Sequence, residues 1–207
     1  MNTILALLIA YLLGSVSFGF LAGKYLKGID IRQFGSGSSG TTNILRTLGT
    51  GPAIVVLILD AAKGLAAVRI ASTLTGDPLI MLLAGAAVVA GHNWPVFFNF
   101  RGGRGVATTI GVFLGLAPIV ILIATAIGIT LIALTRYVSL GSMVGGIAIP
   151  ILLVIFREPP AYVFLGVILA ALAVWRHRQN ISRLLAGTEN KIGARVKLSE
   201  ESKVEEK

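Results

Sequence analysis

Six apolar runs, at roughly 3–23, 52–73, 79–98, 105–135, 138–156 and 160–175, fill most of this chain and leave short polar gaps between them. A helix needs about 20 apolar residues to cross a bilayer, with a range of about 17–25. Inside the hydrocarbon the backbone must satisfy its own hydrogen bonds, which a helix does within one segment. The pattern predicts an all-α integral membrane bundle. Composition agrees, with 55% hydrophobic and only 13% charged residues and a mean hydropathy of +0.87. A soluble domain of this length needs more polar surface. The absence of cysteine excludes disulfides, thiolate metal sites and a cysteine nucleophile. Two histidines and few acids offer no metal constellation. Lys24 follows the first run and no basic segment precedes it, which predicts a retained first span and not a cleaved leader.

The net charge of +9 sits in the gaps, where membrane topology and anionic lipid place it, and is not gathered into a nucleic-acid-binding domain. Positive charges cluster at Lys24, Lys27, Arg32 and Arg46, at Arg101 and Arg104, at Arg136, and from Arg176 onward. The gaps around Asp77 and around Arg157-Glu158 carry little net charge. The positive-inside rule puts the first set in the cytoplasm and the second outside. With Arg104 and Arg136 both inside, 105–135 must cross an even number of times. Pro118 near its middle breaks it into two short helices turning at Ala117-Pro118. The expected architecture is a bundle of seven transmembrane helices, N-terminus outside and C-terminus cytoplasmic. Residues 1–197 form a single polytopic membrane domain, and 198–207 (LSEESKVEEK) form a disordered polar cytoplasmic tail.

Asp60 and Lys63 interrupt the second run. Charge at the centre of a bilayer costs roughly 2.5–3.5 kcal/mol per residue on the insertion scale, so such groups face a bundle interior or a polar cavity. Their i, i+3 spacing permits an ion pair that floors a polar site or holds helices together. Three polar stretches complete the pattern. Gly35-Ser36-Gly37-Ser38-Ser39-Gly40-Thr41-Thr42-Asn43, followed by Arg46, formally matches GxGxxG, but no strand precedes it. Its glycines permit turns that aim backbone N–H groups at an anion, ahead of a helix expected from about Asn43. The competing reading is a flexible polar connection. Arg101-Gly102-Gly103-Arg104-Gly105 forms a second anion-binding turn at a helix start, behind His92 and an interfacial belt of Trp94, Phe97, Phe98 and Phe100. His92, before Pro95 at a helix end, reads as structural. His177 and Asn180, three apart, share a helix face near Ser142's loop, Arg136-Tyr137-Val138-Ser139-Leu140-Gly141-Ser142.

These stretches all fall on one membrane face under a topology derived from charge. Together GSGSSGTTN with Arg46, LDAAKG, GHNWPVFFNFRGGRGVAT, RYVSLGS and RHRQNISRLLAGTE resemble, in order, the acyl-phosphate-dependent glycerol-3-phosphate acyltransferases of bacteria, the PlsY family. The resemblance runs from the first span to about Glu189. It implies a seven-helix enzyme of the bacterial plasma (inner) membrane, acting on the cytoplasmic side in phospholipid biosynthesis. Such an enzyme moves a fatty acyl group from acyl phosphate to glycerol-3-phosphate, giving lysophosphatidic acid and phosphate, without an acyl-enzyme intermediate, cofactor or metal, and as a monomer. By motif position, Ser36, Gly37 and Arg46 bind phosphate, and Gly102, Gly103 and Arg104 form the other substrate-phosphate loop. Ser142, His177 and Asn180 fall at polar active-site positions, and Glu189 at a structural one. The chain departs from the family at Ser38 and Thr41, where Asn and Ala are common, and at Arg101 and Arg104, where the pattern reads KGGKG. Arginine keeps the charge and gains bidentate geometry, but a role needing a lysine amine does not transfer.

The chemistry fits beside the name. A leaving phosphate needs charge neutralisation, which Arg46 or Arg104 can supply, and Asn180 with Ser142 can meet an oxyanion. The attacking hydroxyl needs a base, either His177 or the phosphate of glycerol-3-phosphate itself. Which loop holds which substrate stays open, as does donor identity against acyl-CoA or acyl carrier protein. A small transporter is the rival from another class.

Overall fold

The computed structural model describes residues 2–194, so the tail expected to be disordered lies outside the described residues. The chain folds into helices α1 (Asn2–Ser15), α2 (Phe18–Lys27), α3 (Thr41–Thr47), α4 (Thr50–Thr75) and α5 (Pro78–Asn93). It continues as α6 (Val106–Leu116), α7 (Pro118–Thr135), α8 (Val138–Ile155), α9 (Pro160–Arg176) and α10 (Arg178–Leu185), with no strand among the described residues.

Local chemistry sets the ends. Gly76 closes α4 in the left-handed region at φ 64°. Asp77 then caps α5, accepting from the Leu79 N–H at 2.8 Å, with Pro78 at the first helical position. The fourth run divides where Pro118 placed the break: Ala117 leaves helical geometry at φ −145° and Pro118 opens α7. The first run, expected as one span, is broken at Val16, and the Ser17 side chain caps α2. That break explains the charge in α4. Lys63 Nζ donates to Gly14 O at 3.0 Å and Val16 O at 2.8 Å, and pairs with Asp60 at 2.8 Å. Carbonyls freed inside an apolar bundle need a donor, and here the buried Lys63 brings one.

α1 lies along α5, α4 packs on α5, α6 and α1, and α7, α8 and α9 pack in sequence. Contacts of α9 with α5 and α6 join the two groups around one core that includes Phe113, Val112, Val88, Val120 and Leu153. Lipid gives apolar helices no hydrophobic reason to associate, so close backbone approach must hold them. A Cβ on Gly14 would overlap Val88 O, and one on Gly111 would overlap Ala61 O. Ile54, Val55 and Ile58 of α4 point outward and stay exposed, as a lipid-facing surface requires. Among the described residues, four stretches are long and apolar enough to cross a membrane, namely Asn2–Lys27, Pro78–Phe98, Pro118–Thr135 and Val138–Ile155. The pair α9 and α10, bent by 58°, would count as a fifth if it formed one span.

Candidate active site

The three polar stretches meet at one end of the bundle. Arg46 donates to Asn190 O at 3.0 Å, Arg32 to Phe98 O at 2.7 Å, and Arg176 to Gly103 O at 2.6 Å. Each bond joins a different pair of sequence-distant segments.

The first loop is built on Asn43, whose side chain is buried. Its amide Nδ2 donates to the carbonyls of Ile31, Phe34 and Ser38 at 2.9–3.0 Å, and its Oδ1 accepts from the Ser36 N–H at 3.0 Å. Gly35 and Gly37 take φ 60° and 68°, which lets the turn close. Ser36 is therefore held by Asn43, while the Gly37 N–H donates to Phe34 O at 3.1 Å. Arg46 reaches instead to the C-terminal segment, donating to Asn190 O at 3.0 Å. It follows Asn43 by three on α3, is 7% exposed, and has Glu189 and Arg183 as charged neighbours.

The second loop folds back on the end of α5. The Gly103 N–H donates to His92 O at 3.1 Å, while Arg176 holds the Gly103 carbonyl from the other side. Gly102 and Gly103 are buried, and Arg104 is half-buried. No acceptor among the described residues takes a hydrogen bond from the Arg104 guanidinium, although Arg183, Glu189, Arg46 and Arg176 all lie within electrostatic reach. Burial and then the Arg183 charge pull this guanidinium down to about 10, against Glu189. A partly desolvated fork with free donors is an anion site in waiting.

His177 sits at the bend between α9 and α10, 2.7 Å from Ala173 O through Nδ1. A carbonyl only accepts, so Nδ1 carries the proton and Nε2 presents a lone pair. Burial and then the Arg104 charge depress its imidazole to about 4, outweighing the Ala173 bond and Glu189. Asn180 is buried one turn on; its Nδ2 donates to Glu189 Oε1 at 2.7 Å, while Oδ1 finds no partner among the described residues. Glu189 also accepts from Ser139 Oγ at 2.9 Å and from Arg183 Nε at 2.7 Å. Burial raises its carboxyl, but the bonds from Asn180, Arg183 and Ser139 win and hold it below the ordinary carboxylate value.

Arg46, Arg104, His177 and Asn180 thus come together around Glu189. Ser142 does not join that group. It lines an apolar cleft between α6, α7, α8 and α9, with Thr109, Ile121, Gly145, Leu169 and Ala173. Ser139, one turn earlier on α8, is the serine that reaches Glu189. Sequence reasoning passed over Ser139, Asn43 and Arg176. The signal available for Ser139 was its place three residues before Ser142, on the same helix face.

Relatives cover nearly the whole chain. The profile of the family described as glycerol-3-phosphate acyltransferase matches residues 4–187. A glycerol-3-phosphate acyltransferase of Shouchella clausii is 52% identical over 198 residues, covering 93% of this chain and 97% of that protein. One from Halalkalibacterium halodurans is 51% identical over 190 residues, covering 89% and 92%. Among solved structures, the integral membrane glycerol 3-phosphate acyltransferase PlsY in its glycerol 3-phosphate form has a TM-score of 0.89 at 39% identity, covering 93% of this chain and 96% of that one. Its lysophosphatidic acid form has a TM-score of 0.86 at 38% identity, covering 94% and 97%. Ordered motifs, a shared helical fold and likeness along nearly the full length lead to one conclusion: the chain belongs to the glycerol-3-phosphate acyltransferase family.

Proposed function

We propose that this protein transfers a fatty acyl group from acyl phosphate to glycerol-3-phosphate, giving lysophosphatidic acid and phosphate. The observation that carries the reading is the Arg104 guanidinium, half-buried and without a protein acceptor among the described residues, with the like charges of Arg46, Arg176 and Arg183 around it and Glu189 as the carboxylate in reach. Two phosphate groups, one on each substrate, would balance that excess. The glycerol 3-phosphate and lysophosphatidic acid forms of the similar PlsY structure support the acceptor and the product.

An acyl phosphate is a mixed anhydride, so its phosphate leaves readily once its charge is met; Arg46 is placed to meet it, while Arg104 on the GGRG turn holds the phosphate of glycerol-3-phosphate. The apolar cleft lined by Thr109, Ile121, Gly145, Leu169 and Ser142 takes the acyl chain. Transfer is direct. The chain has no cysteine, and a serine nucleophile needs an adjacent base. The carboxylate beside Ser139 is Glu189, whose pKa is held below the ordinary value and which is thus a weak base, and Ser142 has no base in contact among the described residues. Asn180 enters as an acceptor: Nδ2 is engaged with Glu189, and the free Oδ1 can receive the glycerol hydroxyl. His177 near 4 is neutral at physiological pH but too weak a base to draw a proton from an alcohol efficiently. The phosphate of glycerol-3-phosphate, with a second pKa of about 6, is the better base and is already bound beside the hydroxyl.

The chain crosses the bacterial inner membrane seven times as a monomer, N-terminus outside, with the site on the cytoplasmic side. The Lys and Arg distribution supports this orientation. The eleven-residue α6 rises only about 16 Å. A crossing there puts the GGRG turn below the headgroups.

Acyl transfer to labelled glycerol-3-phosphate tests the reading, with palmitoyl phosphate and palmitoyl-CoA in parallel. Lysophosphatidate is expected from palmitoyl phosphate alone. Arg104→Ala should lose roughly 100-fold or more in turnover while melting like the parent, because it breaks no protein hydrogen bond. Product from the thioester alone, or none from folded protein, would overturn the assignment.

A further inference from the structure

We propose that His92 is a positioning residue for glycerol-3-phosphate. Its ring is the seat on which the GGRG turn rests, and Asp60 holds the ring in place. This deepens the functional reading above and rests on it.

His92 closes α5 with its side chain 6% exposed. Both of its ends touch the turn. Its carbonyl accepts the Gly103 N–H at 3.1 Å, and a Cβ on Gly102 would overlap that same carbonyl. The ring edge lies against Gly103: a Cβ there would overlap Nε2 and come within 2.8 Å of Cε1. Asn93 continues the seat, because a Cβ on Gly105 would lie 3.1 Å from its Oδ1. The two glycines are therefore required by the histidine beneath them, as well as by any anion above. On its other edge the ring presents Nδ1 to Asp60 Oδ1 at 3.4 Å, and Asp60 is pinned by Lys63 at 2.8 Å. Lys63 is fixed in turn by the Gly14 and Val16 carbonyls at the break of the first run. A continuous buried strut thus runs from the α1–α2 break through α4 to the turn that carries Arg104.

Arg104 itself touches no protein acceptor among the described residues, so its direction depends on the backbone of Gly103 and Gly105. Arg176 holds Gly103 through its carbonyl at 2.6 Å. His92 supplies the opposing surface. Without the ring the turn can sink toward α5, and a displacement of about 1 Å at a binding group can cost up to roughly 100-fold. The remaining contacts of Arg176 keep the turn from unfolding, which separates a positioning role from a structural one.

The experiment measures KM for glycerol-3-phosphate, KM for palmitoyl phosphate, kcat and melting temperature in His92→Ala, His92→Gln, Gly103→Ala and the double variant His92→Ala/Gly103→Ala. Expected for His92→Ala is a rise in KM for glycerol-3-phosphate of about tenfold or more, with KM for the acyl donor unchanged. His92→Gln, which keeps the bulk and a donor for Asp60, should recover much of it. Gly103→Ala alone should be impaired because its methyl meets the ring. In the double variant that methyl has room, so the two losses should fall well short of additive. The inference is overturned if His92→Ala leaves that KM unchanged, if both KM values and the melting temperature move together, or if the losses add. Wild-type turnover with acyl phosphate separates the two levels: its absence defeats the functional reading, while turnover with an unmoved KM defeats only the role of His92.

Discussion

Glu189 accepts from Ser139 of α8 and from Asn180 and Arg183 of α10, and its charge reaches Arg46 and Arg104. One carboxylate thereby fixes the asparagine and orders the cations. Removing it would leave buried donors without acceptors, each worth about 1–3 kcal/mol. The neighbouring His177 carries a pH signature. In the folded protein its imidazole sits at about 4, below the ordinary 6.5. Between those values the unfolded chain binds a proton that the native protein does not, so stability falls as pH drops from 6.5 toward 4 and the loss from this group ends there. Glu189, held below its ordinary 4.5, adds a loss at lower pH still. Melting curves of wild type and His177→Gln from pH 8 to 4 should diverge below pH 6.5, the variant giving the flatter profile; parallel profiles would refute a buried neutral histidine. At this scale the sequence showed the residue types that the structure gathers near Glu189. Arg46, Arg104, His177 and Asn180 lie in motifs, but Ser142 and Ser139 share a helix face and are indistinguishable until the packing shows which one reaches Glu189. Glu189 could have been singled out as the one acid set among Arg176, Arg178 and Arg183.

Helices in this protein meet backbone to backbone. On α6, a Cβ at Gly111 would overlap Ala61 O of α4, and Gly64 of α4 approaches Thr108 O equally closely. Gly146 of α8, by contrast, has nothing within 4 Å of an added Cβ. Gly111→Ala must push α4 and α6 apart and is expected to cost about 1–3 kcal/mol, read as a lower melting temperature. Gly146→Ala should be neutral or slightly stabilising, since alanine is the better helix former. Equal effects would mean that close approach does not hold this pair. Element boundaries were legible wherever chemistry punctuated them, as at Gly76-Asp77-Pro78 and Ala117-Pro118. The break at Val16 was not, because no proline marks it. Its freed carbonyls are satisfied by Lys63, 47 residues away from Val16, and nothing local to residues 3–23 reveals that partner.

For the whole molecule, the proposed orientation makes a direct prediction. The cysteine-free chain accepts single probes: Glu158→Cys between α8 and α9, and Gln33→Cys, exposed in the first loop. An impermeant maleimide applied to intact cells stripped of their outer wall should label position 158 and spare position 33 until the membrane is opened; the reverse pattern would invert the topology and move the site outside. Apolar periodicity and the placement of Lys and Arg are properties of the linear chain, so the helical membrane class and the candidate anion loops could be read from it. Partner choice among buried polar groups is not such a property. That Arg176 grips Gly103, that His92 lies beneath the same glycine, and that Glu189 gathers Ser139, Asn180 and Arg183 depend on distances of a few ångströms between segments far apart in sequence. Hydrogen bonds and ion pairs act only over such distances, and only the packing of the helices sets them.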